Sequence, residues 1–399
     1  MATPCQIVQF IKAVALLNCV FRSVGSTMQS IHTDKVALLS FKSRLVSSTV
    51  SSLSSWNPNS SPCNWTGVIC SKYGNKRVVE LRLSGMGLSG FIDPHIGNLS
   101  FLQSLQLQNN QFTGPIPIQI HHLLQLSVVN VSSNNLQGGF PLNFSAMAAL
   151  EILDLSSNKI TGRLPESLEL GTKPTLWHNS RNLWEYFLVT LALASNQLYG
   201  TVPPAIFNMS SLVTLALASN QLWGTFPKDI GEKLPKLLVF NFCFNKFTGT
   251  IPESLHNITR LQVIRFAHNF LEGTVPPGLE KLHNLLTYNI GNNKFVDSDA
   301  NGGLNFITSL TNSSRLAFLA LDGNNFEGVI PGSIGNLSKD LSKLYMGGNR
   351  FYGNIPPTIS NLRGLSLLNL SDNSLSGEIP SREIGKASLA WFGEESTFW

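Results

Sequence analysis

Apolar and polar residues recur along this chain in a frame of about 24 positions, seen in full from Leu261 to Pro276. Its form is L-x-x-L-x-L-x-x-N-x-L-x-G-x-I-P, filled there by Leu261, Ile264, Phe266, Asn269, Leu271, Gly273, Val275 and Pro276. The alternation at Ile264, Arg265 and Phe266 predicts a short strand with its apolar side chains in a core and Arg265 on an open face. After the strand the chain must turn sharply and away from water. An Asn side chain both donates and accepts, so it suits the backbone groups that a bent, buried loop leaves without partners. Gly273 then relaxes the backbone, and Pro276 stops the strand from running on.

The frame recurs with its Asn at Asn110, Asn134, Asn158, Asn196, Asn220, Asn245, Asn269, Asn293, Asn324, Asn349 and Asn373, mostly 24 or 25 residues apart. A degenerate copy, Val78 to Leu83, comes first, with Met86 where the Asn belongs, which makes twelve repeats. Stacked turns set these Asn side chains inward as a structural ladder. The frame is similar to a leucine-rich repeat. Each such repeat packs only on its neighbours, so residues 78–380 are expected to form one α/β solenoid, a right-handed superhelix with a parallel concave sheet, and not two or three globular domains.

Two intervals break the period. Thirty-one residues separate Asn293 from Asn324. The insertion, 296–311, predicts a short helix through Leu304 to Leu310 capped by Asp297, Ser298 or Asp299. Thirty-eight residues separate Asn158 from Asn196. The excess lies in the irregular segment 169–189, which reads either as retained intron or frame-shifted sequence, the favoured alternative, or as a protruding loop that contributes to binding.

Residues 31–77 read as a cap over the first repeat, because a solenoid's end exposes its core. Thr33 or Asp34 is expected to cap a helix that places Leu38, Phe41 and Leu45 on one face. Residues 1–25 have the apolar core and small terminal residues of a secretory signal peptide, although Lys12 interrupts it. N-x-Ser/Thr acceptor sites at Asn59, Asn64, Asn98, Asn130, Asn143, Asn208, Asn257, Asn312, Asn336 and Asn369 point the same way. Several belong to the repeat itself, so they are not ten independent signals. In an exported chain Cys63 and Cys70 read as a local disulfide. Cys243 is expected as a free thiol on the concave surface or its edge.

The cap's D-K-x-A-L-L-x-F-K, S-W-N and C-N-W-T-G-V-x-C, followed by repeats carrying L-x-G-x-I-P, resemble the ectodomain of plant leucine-rich-repeat receptor-like serine/threonine kinases, in particular immune receptors that recognise bacterial patterns. The match runs from Asp34 to Pro380. It implies a peptide or microbial-pattern ligand, a co-receptor with a shorter leucine-rich-repeat ectodomain, and a place on the outer side of the plasma membrane. The frame stops after Pro380, and residues 381–399 read as a non-repeat tail of a product truncated before the membrane span and kinase. If the chain ends at Trp399, secretion to the apoplast is expected. The alternatives are a secreted inhibitor of cell-wall-degrading enzymes and a non-functional truncated receptor.

Little else in the chain suggests chemistry. The net charge of +5 rests on only 13% charged residues without a basic run, which gives no support to a nucleic-acid partner. Gly85, Gly87 and Gly90 fit G-x-G-x-x-G by letter but fall in the turn of the first repeat, with no phosphate-binding helix after them. V-A-I-K, H-R-D and D-F-G are missing from the sequence, and no cofactor or metal is expected. Recognition is left to the x positions of the concave face. Asn130 and Asn369 would place glycans there, and Ala192, Ala194, Ala216 and Ala218 offer little to bind. Repeats seven to eleven present Asn241, Phe244, Arg265, His268, Asn289, Phe318, Asp322, Lys343 and Tyr345. Of these, Arg265, His268, Phe318, Tyr345, Lys343, Asn241 and Phe244 are the candidate ligand-binding residues.

Overall fold

The computed structural model describes residues 30–74, 76–140, 147, 149–166, 188–296, 304–378, 380 and 388–389. One sheet of fourteen strands runs the length of the molecule. Twelve are the repeat strands, from Val78–Arg82 to Leu367–Asn369, each parallel to its neighbours. Side chains alternate as the frame requires: Ile264 is buried in the core and Arg265 is exposed. The cap adds Val68–Cys70 antiparallel to the first repeat strand. At the other end Ser388–Leu389 pairs in parallel with Leu367–Asn369, so the sheet extends one strand into the tail expected to be free of repeat structure.

The ladder is built as the sequence requires. Asn269 Nδ2 donates to Phe242 O, Phe266 O and Ala267 O at 3.0, 2.9 and 3.4 Å, while its Oδ1 accepts from Phe247 N at 3.0 Å. Each Asn therefore serves its own turn and ties it to the preceding repeat. The first repeat lacks an Asn of its own, and Asn110 reaches back to Leu83 O, Met86 N and Leu88 N.

Beyond each ladder Asn the chain makes more than a turn. Residues at N-x-L-x-G form a second parallel sheet of nine strands, from Ser89–Phe91 to Lys294–Val296, and Glu327–Val329, Arg350–Asn354 and Ser374–Ser376 form a third. Leu271 points into the core there, while Phe270 and Glu272 point out. Gly273 is needed in that strand because its φ is +80° and a Cβ would lie 2.9 Å from Thr250 Cγ2. On the convex side short helices such as Pro94–Asn98, Glu253–Asn257 and Gly332–Asn336 stack repeat on repeat. They approach so closely that a Cβ on Gly335 would fall 2.2 Å from Thr358 O.

The cap helix is Ile31–Ser43, and Ser30, not Thr33 or Asp34, is its N-cap. Thr33 closes the capping box by accepting from Ser30 N. Asp34 has a different task. Its two oxygens accept from Arg77 Nε and Nη2 at 2.9 and 2.7 Å and from Val78 N at 2.9 Å, which fixes the cap helix to the first repeat strand. Leu38, Phe41 and Leu45 are buried, as their spacing predicts. Cys63 and Cys70 are disulfide-bonded, and Trp56 and Trp65 of the cap stack with ring centroids 5.3 Å apart.

Cys243 is free but buried against Ala218 and Ala267, which corrects its expected place at the surface. Burial pushes its thiol up to about 11, so it stays protonated and unreactive. In the 296–311 insertion a helix forms at Asn305–Ser309 and continues as a tighter turn at Leu310–Asn312. Its N-cap is Leu304, without a side-chain cap; Asp297, Ser298 and Asp299 lie outside the described residues. Most of 169–189 and all of 1–25 also lie outside them. The flanks of the irregular segment are continuous: Ile152–Asp154 pairs residue for residue with Thr190–Ala192.

His256, within the Glu253–Asn257 helix, carries no signal in the sequence, yet it is fully buried. Its Nδ1 lies 3.1 and 3.0 Å from Pro276 O and Pro277 O, so Nδ1 bears the proton, and Nε2 has no partner among the described residues. Burial lowers its pKa from 6.5 to about 4, although the two carbonyl bonds oppose this. Between those values the unfolded chain binds a proton that the folded chain refuses. Stability therefore falls as pH drops through this window, by up to about 3 kcal/mol, and falls no further from this group below it. In urea titrations at pH 7 and pH 4.5, His256→Gln is expected to remove most of that difference. Equal pH dependence in variant and parent would contradict this account.

Candidate ligand-recognition face

Three parallel rows cross the concave sheet. The first outward strand position reads Thr190, Thr214, Val239, Val263, Thr287, Phe318, Lys343 and Leu367 across successive repeats. The second reads Ala192, Ala216, Asn241, Arg265, Asn289, Ala320, Tyr345 and Asn369. The third lies beyond the strand, at the residue before the ladder Asn, where the backbone is left-handed. Non-glycine residues there include Ser195, Ser219, Phe244, His268 and Asn292, with φ between 52° and 57°.

Phe244 and His268 are thus turn residues beyond the strand, in a conformation that costs a bulky side chain about 1 to 2 kcal/mol. They stack face to face, with ring centroids 4.1 Å apart and planes 14° off parallel. Phe244 remains 53% exposed despite the stack. Beside them Asn241 and Arg265 are direct strand neighbours. Asn241 Oδ1 accepts from Cys243 N at 3.4 Å, while Arg265 is exposed.

The other candidates form a second group. Phe318 and Tyr345 lie at 5.5 Å between ring centroids, both half-buried, and Lys343 stands exposed directly opposite Phe318. The strand Thr287–Asn289 separates the two groups, with Thr287 and Asn289 as its outward residues. Asp322 accepts from Asn292 Nδ2 at 2.9 Å, which engages it in the face's own hydrogen bonding. The sequence did not reveal this division into two clusters, because the stack depends on a backbone conformation and not on spacing.

Glycan acceptor sites flank this region. Asn130 and Asn369 occupy the second row, half-buried, and their Oδ1 atoms accept from Ser132 N and Ser371 N at 3.1 and 3.0 Å. Asn98, Asn208, Asn257, Asn312 and Asn336 lie exposed at the ends of the convex helices. Asn59 and Asn64 are exposed on the cap, and Asn143 lies outside the described residues.

Among protein families, the leucine rich repeat N-terminal domain matches residues 31–71, and the Leucine Rich Repeat matches 101–123, 149–170, 315–337, 340–362 and 364–382. A putative leucine-rich repeat receptor-like serine/threonine-protein kinase of Arabidopsis thaliana is 37% identical over 318 residues, which is 75% of this chain and 28% of the relative. Other plant receptor-like kinases are matched over 9 to 12% of their length, so the chain spans well under a third of these curated relatives. Among solved structures, the complex of PEPR1 with AtPEP1 is similar at a TM-score of 0.67 and 30% identity, covering 87% of this chain and 49% of that one. The Arabidopsis receptor kinase HAESA, in complex with the peptide hormone IDA and the co-receptor SERK1, is similar at 0.63 and 29%, covering 87% and 62%. The chain carries the leucine-rich-repeat N-terminal domain and the leucine-rich repeats, and it matches the ectodomain of plant leucine-rich-repeat receptor-like serine/threonine kinases.

Proposed function

We propose that this chain is the extracellular ligand-recognition region of a plant cell-surface leucine-rich-repeat receptor-like kinase, and that it binds a peptide along the concave sheet. The observation that carries the reading is the placement of two aromatic pairs, Phe244 with His268 and Phe318 with Tyr345, each beside an exposed cation, Arg265 or Lys343. Large, rigid aromatic anchors with neighbouring charges concentrate binding energy in most protein interfaces. Similar ectodomains solved with a peptide, and in one case with a co-receptor, support the same use of the fold. In this reading Arg265 and Lys343 take acidic groups of the ligand, and a co-receptor with its own leucine-rich repeats completes the signalling complex. The chain's part is recognition and not catalysis. Among the described residues no helix is long and apolar enough to cross a membrane.

The test begins with peptides captured from extracellular fluid on the immobilised chain and identified by mass spectrometry. Phe318→Ala or Tyr345→Ala is expected to weaken a captured peptide by about thirtyfold, equivalent to about 2 kcal/mol, with the melting temperature nearly unchanged. If these two substitutions, together with Arg265→Ala and His268→Ala, all leave affinity within about twofold, the concave reading fails.

A further inference from the structure

The second sheet turns an outward face to solvent that the frame itself does not need. Across adjacent strands this face carries Arg163 opposite Tyr199, Trp223 opposite Lys246, then Phe270 and Lys294. Tyr199, Trp223 and Phe270 are 46%, 53% and 48% exposed. Cations stand over two of the rings: Arg163 Cζ is 6.0 Å from the Tyr199 centroid and Lys294 Nζ is 5.7 Å from that of Phe270. The positions equivalent to Tyr199 and Trp223 hold Thr113, Thr161 and Thr248 in other repeats, so an aromatic ring is not required there for folding. The carboxylate among this sheet's strand residues is Glu272, which faces Lys294. No N-x-Ser/Thr site falls on these strands, whereas such sites occur on the concave sheet and at the ends of the convex helices.

We propose that this face binds an acidic polysaccharide, a chain of uronate sugars. Aromatic faces are electronegative at their centres and attract the weakly positive C–H groups on the flat side of a sugar ring. The neighbouring Arg and Lys supply charge-assisted hydrogen bonds to sugar carboxylates. A peptide strand is a poor occupant, because its main chain needs a sheet edge and the strands in the middle of this sheet are paired on both sides. A sugar chain needs no edge. Rings and cations together would also suit a polynucleotide, but a disulfide and repeated glycan acceptor sites place the chain outside the cell.

The probe is polygalacturonate, with its methyl ester (the same rings without charge) and single-stranded DNA as comparisons. The glycosylated full chain should be retarded in a native gel containing polygalacturonate, and salt should relieve the retardation. Trp223→Thr combined with Lys246→Gln should raise the Kd at least tenfold without lowering the melting temperature, since Thr serves at this position in other repeats. Phe318→Ala with Tyr345→Ala should leave the Kd unchanged, which separates this face from the concave one. The proposal is overturned by any of four results: no retardation, equal retardation by the methyl ester or by DNA, an unaffected Trp223/Lys246 variant, or loss of binding in the concave variant.

Discussion

Asp34→Ala is expected to destabilise the amino-terminal cap by about 3 to 5 kcal/mol, because it removes the carboxylate that pairs with a buried guanidinium. Arg77 is 3% exposed and Asp34 is fully buried, so neither water nor a mobile side chain can take the carboxylate's place. Three hydrogen bonds disappear together, two from Arg77 and one from Val78 N. Arg77 would retain its bond to Ser100 Oγ at 3.1 Å and its position 4.4 Å from the Phe101 ring centre, and neither neutralises its charge. Solenoid repeats are stabilised mainly by their immediate neighbours, so the loss should appear as local opening of the cap and first repeat. Hydrogen exchange is the measurement: amides of Ile31–Ser43 and Val78–Arg82 should lose protection while those near Asn269 keep theirs. The double variant Asp34→Leu, Arg77→Met should recover most of the loss, because an apolar pair leaves no buried charge. Unchanged protection in Asp34→Ala would show that the pair contributes little.

Asn269→Ala is the second large effect, at about 3 kcal/mol. It leaves Phe242 O and Phe266 O, and also Phe247 N, without their Asn partners inside the core. A single buried unsatisfied group costs about 1 to 3 kcal/mol, and partial relaxation of the turn keeps the total below a simple sum. The first repeat explains why the residue cannot be spared in mid-stack. Met86 replaces Asn where no earlier repeat exists to be tied, and Asn110 supplies the bonds that the first turn itself requires. Thermal unfolding of Asn269→Ala at the parent's melting temperature would contradict the assignment.

The ladder and the repeat strands were open to reading because one chemical need, an amide in a buried bend, recurs at a fixed period. The Asp34–Arg77 pair was not, since 43 residues separate partners that local rules place in different elements. Asp34 therefore looked like a helix cap, a local role the structure gives to Ser30. The second sheet was hidden for another reason. Its strands contain Gly at a regular place, as in Phe270–Thr274, and Gly within a short segment argues for a turn until packing overrides it. The Phe244–His268 stack depends on two left-handed residues, and spacing alone gives no hint of a conformation that aromatic side chains ordinarily avoid. Cys243 was misplaced because a position outward by alternation is covered here by Ala218 and Ala267 from the repeats on either side.

The direct pairing of Ile152–Asp154 with Thr190–Ala192 makes the concave sheet a ruler graduated in strands and not in residues. Fourteen surplus residues enter between these strands without displacing one mark on the face. From Asn241 to Tyr345 there are four strand steps, roughly 19 Å at the usual parallel spacing, although the chain between them includes the longer loop around Asn305–Ser309. Length added on the convex side leaves the distance between recognition residues intact, whereas the gain or loss of one whole repeat would change it by a full graduation.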